Sequence, residues 1–210
     1  MKVITYYTEN YKTIVKPLLE SLEKFELSYF AKEYANKGTW EENCGIKPFF
    51  IQECLEKFDE DLLWIDADAE VVQQLPLEIL PTDGKMMLHI LVWREAPLGK
   101  WMNELVSNVI FIPNNDFNKR IVNEWCQHQE NNPMRWDQRT LTEVLNKYKD
   151  YKFHTFPKGW AYIDKYYRQF NPDIYIVQKQ ISNETKETFQ DQLDEFYPDK
   201  LPDIEDLEEI

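Results

Sequence analysis

The sequence predicts an α/β domain built on an open, mostly parallel sheet. Three observations carry that expectation. An apolar strand-like run opens the chain, amphipathic helical segments alternate with further apolar runs, and Leu62 to Ile65 is apolar at every position, as in a strand covered on both faces. With 210 residues, 43% of them hydrophobic and 15% aromatic, the chain has the size of one domain and enough apolar surface to cover a sheet.

The elements follow in order. Lys2 to Tyr7 reads as the first strand, and Thr8 as the cap of a helix whose inward face carries Ile14, Val15, Leu18, Leu19, Leu22 and Phe25. "ELSYFAKEY" alternates like a second strand, and "GTWEENCG" reads as a loop between Gly38 and Gly45. Pro48 suits the first turn of a helix over "KPFFIQECLEKF", with Phe50, Ile51, Cys54, Leu55 and Phe58 inward. After the strand from Leu62 to Ile65 come strand candidates in "KMMLHILVW" and "LVSNVIFIP". Helices follow over "FNKRIVNEWCQHQ" and "WDQRTLTEVLNKY", then short strands near "FHTFP" and "DIYIVQ". The folded part is expected to span 1–182. Residues 183–210 form an acidic tail, irregular or with a docked helix from Thr185 to Phe196.

Charge is uneven along the chain. Eleven acidic and two basic residues between Asn183 and Ile210 give −9 of the total −14, leaving −5 elsewhere. A chain of this sign repels a phosphate backbone, so nucleic acid is not the expected partner, although a nucleotide held by a metal and local groups is compatible with it. Cys44, Cys54 and Cys126 are an odd number without metal-like spacing, which points to reduced thiols and a cytoplasmic setting. "MKVITYY" lacks the apolar core and cleavage site of a signal peptide, and no apolar run reaches membrane-spanning length.

Chemistry is concentrated in "DLLWIDADAEVV". Asp66 and Asp68 follow a buried strand, where ligands collect in open α/β sheets. If the chain stays extended through Ala67, both carboxylates project the same way. Hard cations such as Mg²⁺ and Mn²⁺ bridge one or two carboxylates to substrate phosphates, so a metal-diphosphate site is the functional reading. The plainer alternative is a pair of solvated acids in a loop, one of them capping the next element.

"GTWEENCGIKPFFI", "LLWIDADAEV", "LVSNVIFI" and "WDQRTL" resemble, in order and approximate spacing, motifs of the nucleotide-diphospho-sugar transferases, the GT-A type glycosyltransferases with an Asp-x-Asp motif. The opening "TYYTENYKTIVKPLLESLEKF" resembles the start of such domains, and the likeness runs from about residue 2 to 182. It implies a GT-A (Rossmann-like) fold and a hexosyltransferase type of activity. A divalent metal, Mn²⁺ or Mg²⁺, would grip the diphosphate of a nucleoside diphosphate sugar while the sugar passes to an acceptor hydroxyl. Asp68 would bind the metal and Asp66 would reach the ribose or the metal. Lys47 would add positive charge near the donor. Tyr6, Tyr7 and Thr8 would lie at the nucleobase, and strand alternation lets only one of the two tyrosines serve. Trp40 would pack the 38–45 loop, in the same motif as Asn43. Asp137 would sit at the donor or acceptor sugar, unless it is an ordinary capping residue.

Two departures stand out. Ser107 and Asn108 replace the Ser-Gly pair common in relatives, so Asn108 would narrow the sugar site. Gln178 occupies the place of a metal-binding histidine, although Gln180 and Ser182 downstream keep the pattern. A carboxamide oxygen suits a hard cation but lacks the imidazole nitrogen that softer metals prefer. His89, inside an apolar strand, reads as a satisfied core histidine. Two other functions stay open on the residues alone: a noncatalytic module that binds nucleotide sugar or a partner, and another metal-dependent nucleotidyltransferase.

Overall fold

The computed structural model describes residues 1–94 and 101–179. The strands are β1 (Lys2–Thr8), β2 (Tyr29–Tyr34), β3 (Leu62–Ile65), β4 (Ala69–Val71), β5 (Met87–Arg94), β6 (Trp101–Ile112), β7 (His154–Thr155) and β8 (Ile176–Gln178). The helices are α1 (Lys16–Lys24), α2 (Trp40–Cys44), α3 (Lys47–Lys57), α4 (Asp116–Asn131), α5 (Asp137–Leu145) and α6 (Asp164–Tyr167). Six strands form one sheet in the order β2-β1-β3-β6-β5-β7, while β4 and β8 pair antiparallel in a small second sheet.

Three of the five pairings in the large sheet are parallel, β1 with β2 and β3, and β5 with β7. Strand β6 runs antiparallel to both its neighbours, β3 and β5. The reason is connection length: β5 and β6 are too close in sequence for a parallel crossover, which takes a dozen residues or more.

Helices cover both faces, and the strand period sorts the core between them. Leu62 and Trp64 of β3 face one cluster, with Phe50, Ile51 and Cys54 of α3, Ile121 and Trp125 of α4, and Leu141 and Val144 of α5. Leu63 and Ile65 face the other, with Leu18 and Leu22 of α1, Ala69 and Val71 of β4, and Ile176 of β8. All four β3 side chains are buried, as an all-apolar strand requires. The sheet reverses direction of growth about β1, which puts the carboxyl ends of β1 and β3 at the crevice where such sheets bind ligands.

Several local expectations are corrected. Thr8 starts only a short 3-10 turn, without a side-chain cap; α1 begins at Lys16, where Pro17 supplies the fixed φ of a first turn. The expected 38–45 loop contains α2, because Thr39 and Glu42 form a reciprocal capping box. The chain is not extended through Ala67. Ala69 N–H donates to Asp66 O at 3.1 Å, closing a turn that swings the chain from β3 into β4. The tail, with Gln180 and Ser182, lies outside the described residues.

Candidate active site at the carboxyl end of the central strands

Lys47 is the first residue of α3 and is buried. A cation at a helix amino terminus is disfavoured by the macrodipole, so its place needs compensation from elsewhere. It comes from three elements. Lys47 Nζ lies 2.8 Å from Asp137 Oδ2 at the start of α5 and 3.0 Å from Asp66 Oδ1 after β3. It also donates to Ser107 O and Ser107 Oγ of β6, each at 3.1 Å. Ser107 Oγ in turn donates to Asp137 Oδ2 at 2.7 Å, and Trp64 Nε1 donates to Asp66 Oδ1 at 2.9 Å. The ammonium also sits 5.0 Å from the centre of the Trp64 ring.

A β-bulge aims Ser107 into this cluster. Pairing of β5 with β6 jumps from Leu88↔Ile110 to His89↔Val106, so residues 107–109 have no partner on β5. Extra residues in one strand change which face a side chain meets. Leu105 before the break, Ser107 in it, and Ile110 and Ile112 after it therefore share the α3 and α5 side.

The charges hold one another. Burial works to lower the Lys47 pKa, but Asp137 and Asp66 outweigh it, so the ammonium is held above the ordinary lysine range. Burial pushes the Asp66 carboxyl upward, Lys47 opposes this, and Asp68 and Asp137 add to the push. The Asp66 side chain nevertheless keeps 29% exposure, which leaves it open to a ligand. An ammonium has three N–H donors, and Lys47 spends them on four protein oxygens.

Beside this saturated cluster lies a different edge. Gln178 pairs with Ala69 across β4 and β8, and Lys179 N–H donates to Asp68 O at 3.2 Å, which sets β8 alongside the 66–69 turn. Gln178 is buried, and its Nε2 has no hydrogen-bond partner. An unmatched buried polar atom costs about 1–3 kcal/mol, so it marks a position suited to a polar ligand. Among the described residues no three His, Cys, Asp or Glu side chains gather as a metal-holding group. Were a metal held here, the Asp68 carboxylate, the second oxygen of Asp66 and, with its amide turned over, Gln178 Oε1 would be the candidate donors. Such an all-oxygen set fits a hard cation that keeps its waters and shares substrate phosphates.

A solved structure shares this architecture. "Crystal structure of a glycosyltransferase involved in the glycosylation of the major capsid of PBCV-1" matches over 90% of this chain and 98% of that one, with a TM-score of 0.66 at 15% sequence identity. The two chains therefore share a fold. No family model matches the sequence, and no curated protein matches it.

Within this shared fold the residues singled out by sequence divide into groups. Lys47, Asp66, Asp137 and Ser107 come together directly. Asp137 is not a capping residue, since Trp136 holds the cap position and the Asp137 carboxylate turns to Lys47. Asn108 joins the site through its backbone, whose O accepts from Asp66 N–H at 3.0 Å. Tyr6 is buried in the core rather than open to a ligand. Its ring packs against Tyr34, Phe50 and Trp64, and its hydroxyl donates to Asn43 O at 2.7 Å. A stacking role for Tyr6 is therefore corrected; Tyr7 is the half-buried member of the pair. Thr8 is buried and donates to Asn10 Oδ1. Trp40 packs edge-on against Trp136, centroids 5.2 Å apart. Two surface grooves lie elsewhere, one beside Leu105, Thr142 and Phe153, the other beside Tyr34, Ile46 and Phe49. Neither is lined by Lys47, Asp66 or Asp137.

Sequence reasoning missed two partners. Trp64 precedes Asp66 by two residues on a strand, so the alternation that places both on one side was legible. Tyr167, bonded to His89 from 78 residues away, carried no local signal.

Proposed function

We propose that the chain transfers a sugar from a nucleoside diphosphate sugar to an acceptor hydroxyl. The observation that carries this reading is the convergence of Asp66 and Asp137 on one buried ammonium at the carboxyl end of β3, beside the Asp68 and Gln178 edge. The shared glycosyltransferase fold supports it.

In this reading Lys47 positions rather than binds. With every N–H committed, it fixes the spacing of the two carboxylates, in place of the added positive charge near the donor that the resemblance implies. Asp66 Oδ1 is taken by Lys47 and Trp64, so Oδ2 meets the ribose or the cation. Asp137 orients a sugar hydroxyl, Tyr7 offers its ring to the base, and Asp68 with Gln178 holds Mn²⁺ or Mg²⁺. When bound, that metal supplies Lewis-acid stabilisation of the departing diphosphate.

A second reading, a noncatalytic nucleotide-sugar-binding module, is favoured by one observation, the carboxamide of Gln178 at a metal-holding position. Thermal-shift screening of UDP- and GDP-sugars, with and without Mn²⁺ or Mg²⁺, tests both readings, because a ligand specific to the native state raises its stability. A metal-dependent shift, lost in Asp68→Ala, is expected. No metal-dependent shift with any donor sinks the transferase reading; a shift without hydrolysis or transfer favours the module.

A further inference from the structure

Behind Asn108 lies a buried relay that the site described above does not use. His89 is 1% exposed, and its Nδ1 lies 2.9 Å from Asn108 Oδ1 while Nε2 lies 2.6 Å from the Tyr167 hydroxyl. Tyr167, fully buried at the end of α6, also has its hydroxyl 3.3 Å from Ile90 O. Asn108 stands in the bulge of β6, between Ser107, which holds Lys47, and the turn whose Asp66 N–H it accepts.

Proton counting orders the chain. A carboxamide oxygen only accepts, so Nδ1 carries the hydrogen, and Nε2 must then accept from Tyr167. Tyr167 has one hydroxyl proton, and the 2.6 Å contact to His89 claims it over the 3.3 Å contact to Ile90 O. Burial lowers the His89 pKa to about 4, partly opposed by the Asn108 bond and helped by Lys158, so the ring stays neutral near pH 7. With Oδ1 fixed inward, the Asn108 amide NH₂ is the end turned from His89, and it has no hydrogen bond among the described residues.

We propose that Tyr167 and His89 are positioning residues that lock the Asn108 carboxamide with its NH₂ outward, as a hydrogen-bond donor to an oxygen of the donor sugar. The sugar assignment rests on the transferase reading; the orientation of the relay does not. Asn108 itself makes the contact, and the two buried residues act through it.

Two measurements separate these parts. Long-range ¹H–¹⁵N spectra of histidine-labelled protein, with His89→Gln to assign the signal among three histidines, report the tautomer without any ligand. The Nδ1–H form is expected. An Nε2–H signal means that Asn108 has turned over to donate inward, with Tyr167 donating to Ile90 O, and overturns the proposal.

The second measurement compares Kd for UDP-glucose, UDP-galactose and GDP-mannose with Kd for UDP and GDP, in the native protein and in Tyr167→Phe. The variant keeps the ring and loses only the hydroxyl that holds His89. Affinity for the sugar nucleotide bound by the native protein should fall about three- to tenfold, the effect of misdirecting one neutral hydrogen bond, with the bare diphosphate unchanged. An equal loss for the bare diphosphate places the contact on phosphate and overturns the sugar assignment, as does no loss at all. If the native protein binds none of these, the transferase reading fails and takes the sugar with it, while the tautomer still decides the orientation.

Discussion

Asp66 and Asp68 are one residue apart, yet they belong to two different environments. Asp66 faces Lys47 and the Trp64 indole, in a cluster where three elements meet and every donor of the ammonium is used. Asp68 lies in the turn beyond, beside a second sheet whose Gln178 carries an unmatched amide. The turn at residues 66–69 makes the difference, because it ends the alternation that would have pointed both side chains one way. The first environment is finished by the protein itself. In the transferase reading the second is where the metal would bind, so stability should depend on one and metal response on the other.

The largest expected effect is at Lys47. Lys47→Met leaves Asp66 and the buried Asp137 without their cation, and breaking one side of a buried charge cluster costs roughly 3–5 kcal/mol. Urea unfolding should show that loss, with Asp137→Asn in the same chain recovering part of it, since contacting residues are non-additive. The counterpart at the other edge is Lys179, paired with Glu70 at 2.7 Å in a half-exposed setting. Lys179→Met should cost at most about 1 kcal/mol. Equal costs for the two lysines would remove the distinction between the environments.

Next comes the pair itself. Asp66→Asn weakens charge-assisted contacts with Lys47 and Trp64 and should lower stability by about 2 kcal/mol. Asp68→Asn should cost less than Asp66→Asn, because Asp68 stands outside the Lys47 cluster. The order reverses for the Mn²⁺-dependent thermal shift with a bound sugar nucleotide, which Asp68→Asn should abolish. If both variants behave alike in both assays, the two carboxylates act as one unit.

A smaller effect separates the interior near Asn108 from the charged cluster. His89 has a folded pKa of about 4, depressed mainly by burial, against roughly 6.5 in an unfolded chain. Between those values the unfolded chain binds the extra proton, so stability falls as pH drops from about 6.5 towards 4. The limiting slope is about 1.4 kcal/mol per pH unit. His89→Gln should flatten that limb in unfolding curves taken at several pH values; an unchanged limb would show that His89 titrates equally in both states.

These contrasts also explain what was legible in the sequence. The β1-α1-β2 opening, the doubly covered β3 strand and the helices over α3, α4 and α5 were readable, because periodicity reports burial directly. Lys47, Asp66 and Asp137 were singled out as ligand contacts, and the structure brings them together as contacts with each other. Pairing across elements leaves no trace in local sequence. The 66–69 turn was hidden because no Gly or Pro marks it and the Asp-x-Asp spacing matches strand alternation. The capping box of α2 was readable in Thr39 and Glu42, and was masked by the flanking glycines. Tyr6 went the other way, since alternation allowed one inward tyrosine without saying which.

The finest test of the second environment is Gln178. Its Nε2 is buried without a partner, so replacing the amide by an apolar side chain of similar volume removes a desolvation cost rather than a contact. Gln178→Leu should therefore gain about 1 kcal/mol in unfolding free energy while weakening the Mn²⁺-dependent shift. Gln178→His should shift the metal response from the hard cations Mg²⁺ and Mn²⁺ towards softer ones such as Zn²⁺ and Ni²⁺, because an imidazole nitrogen suits those better than a carboxamide oxygen does. A tenfold gain in affinity would appear as about 1.4 kcal/mol of added stabilisation under saturating metal. A Leu variant that is more stable and still responds fully to Mn²⁺ would move the metal away from β8 and leave Asp68 to hold it with the diphosphate alone.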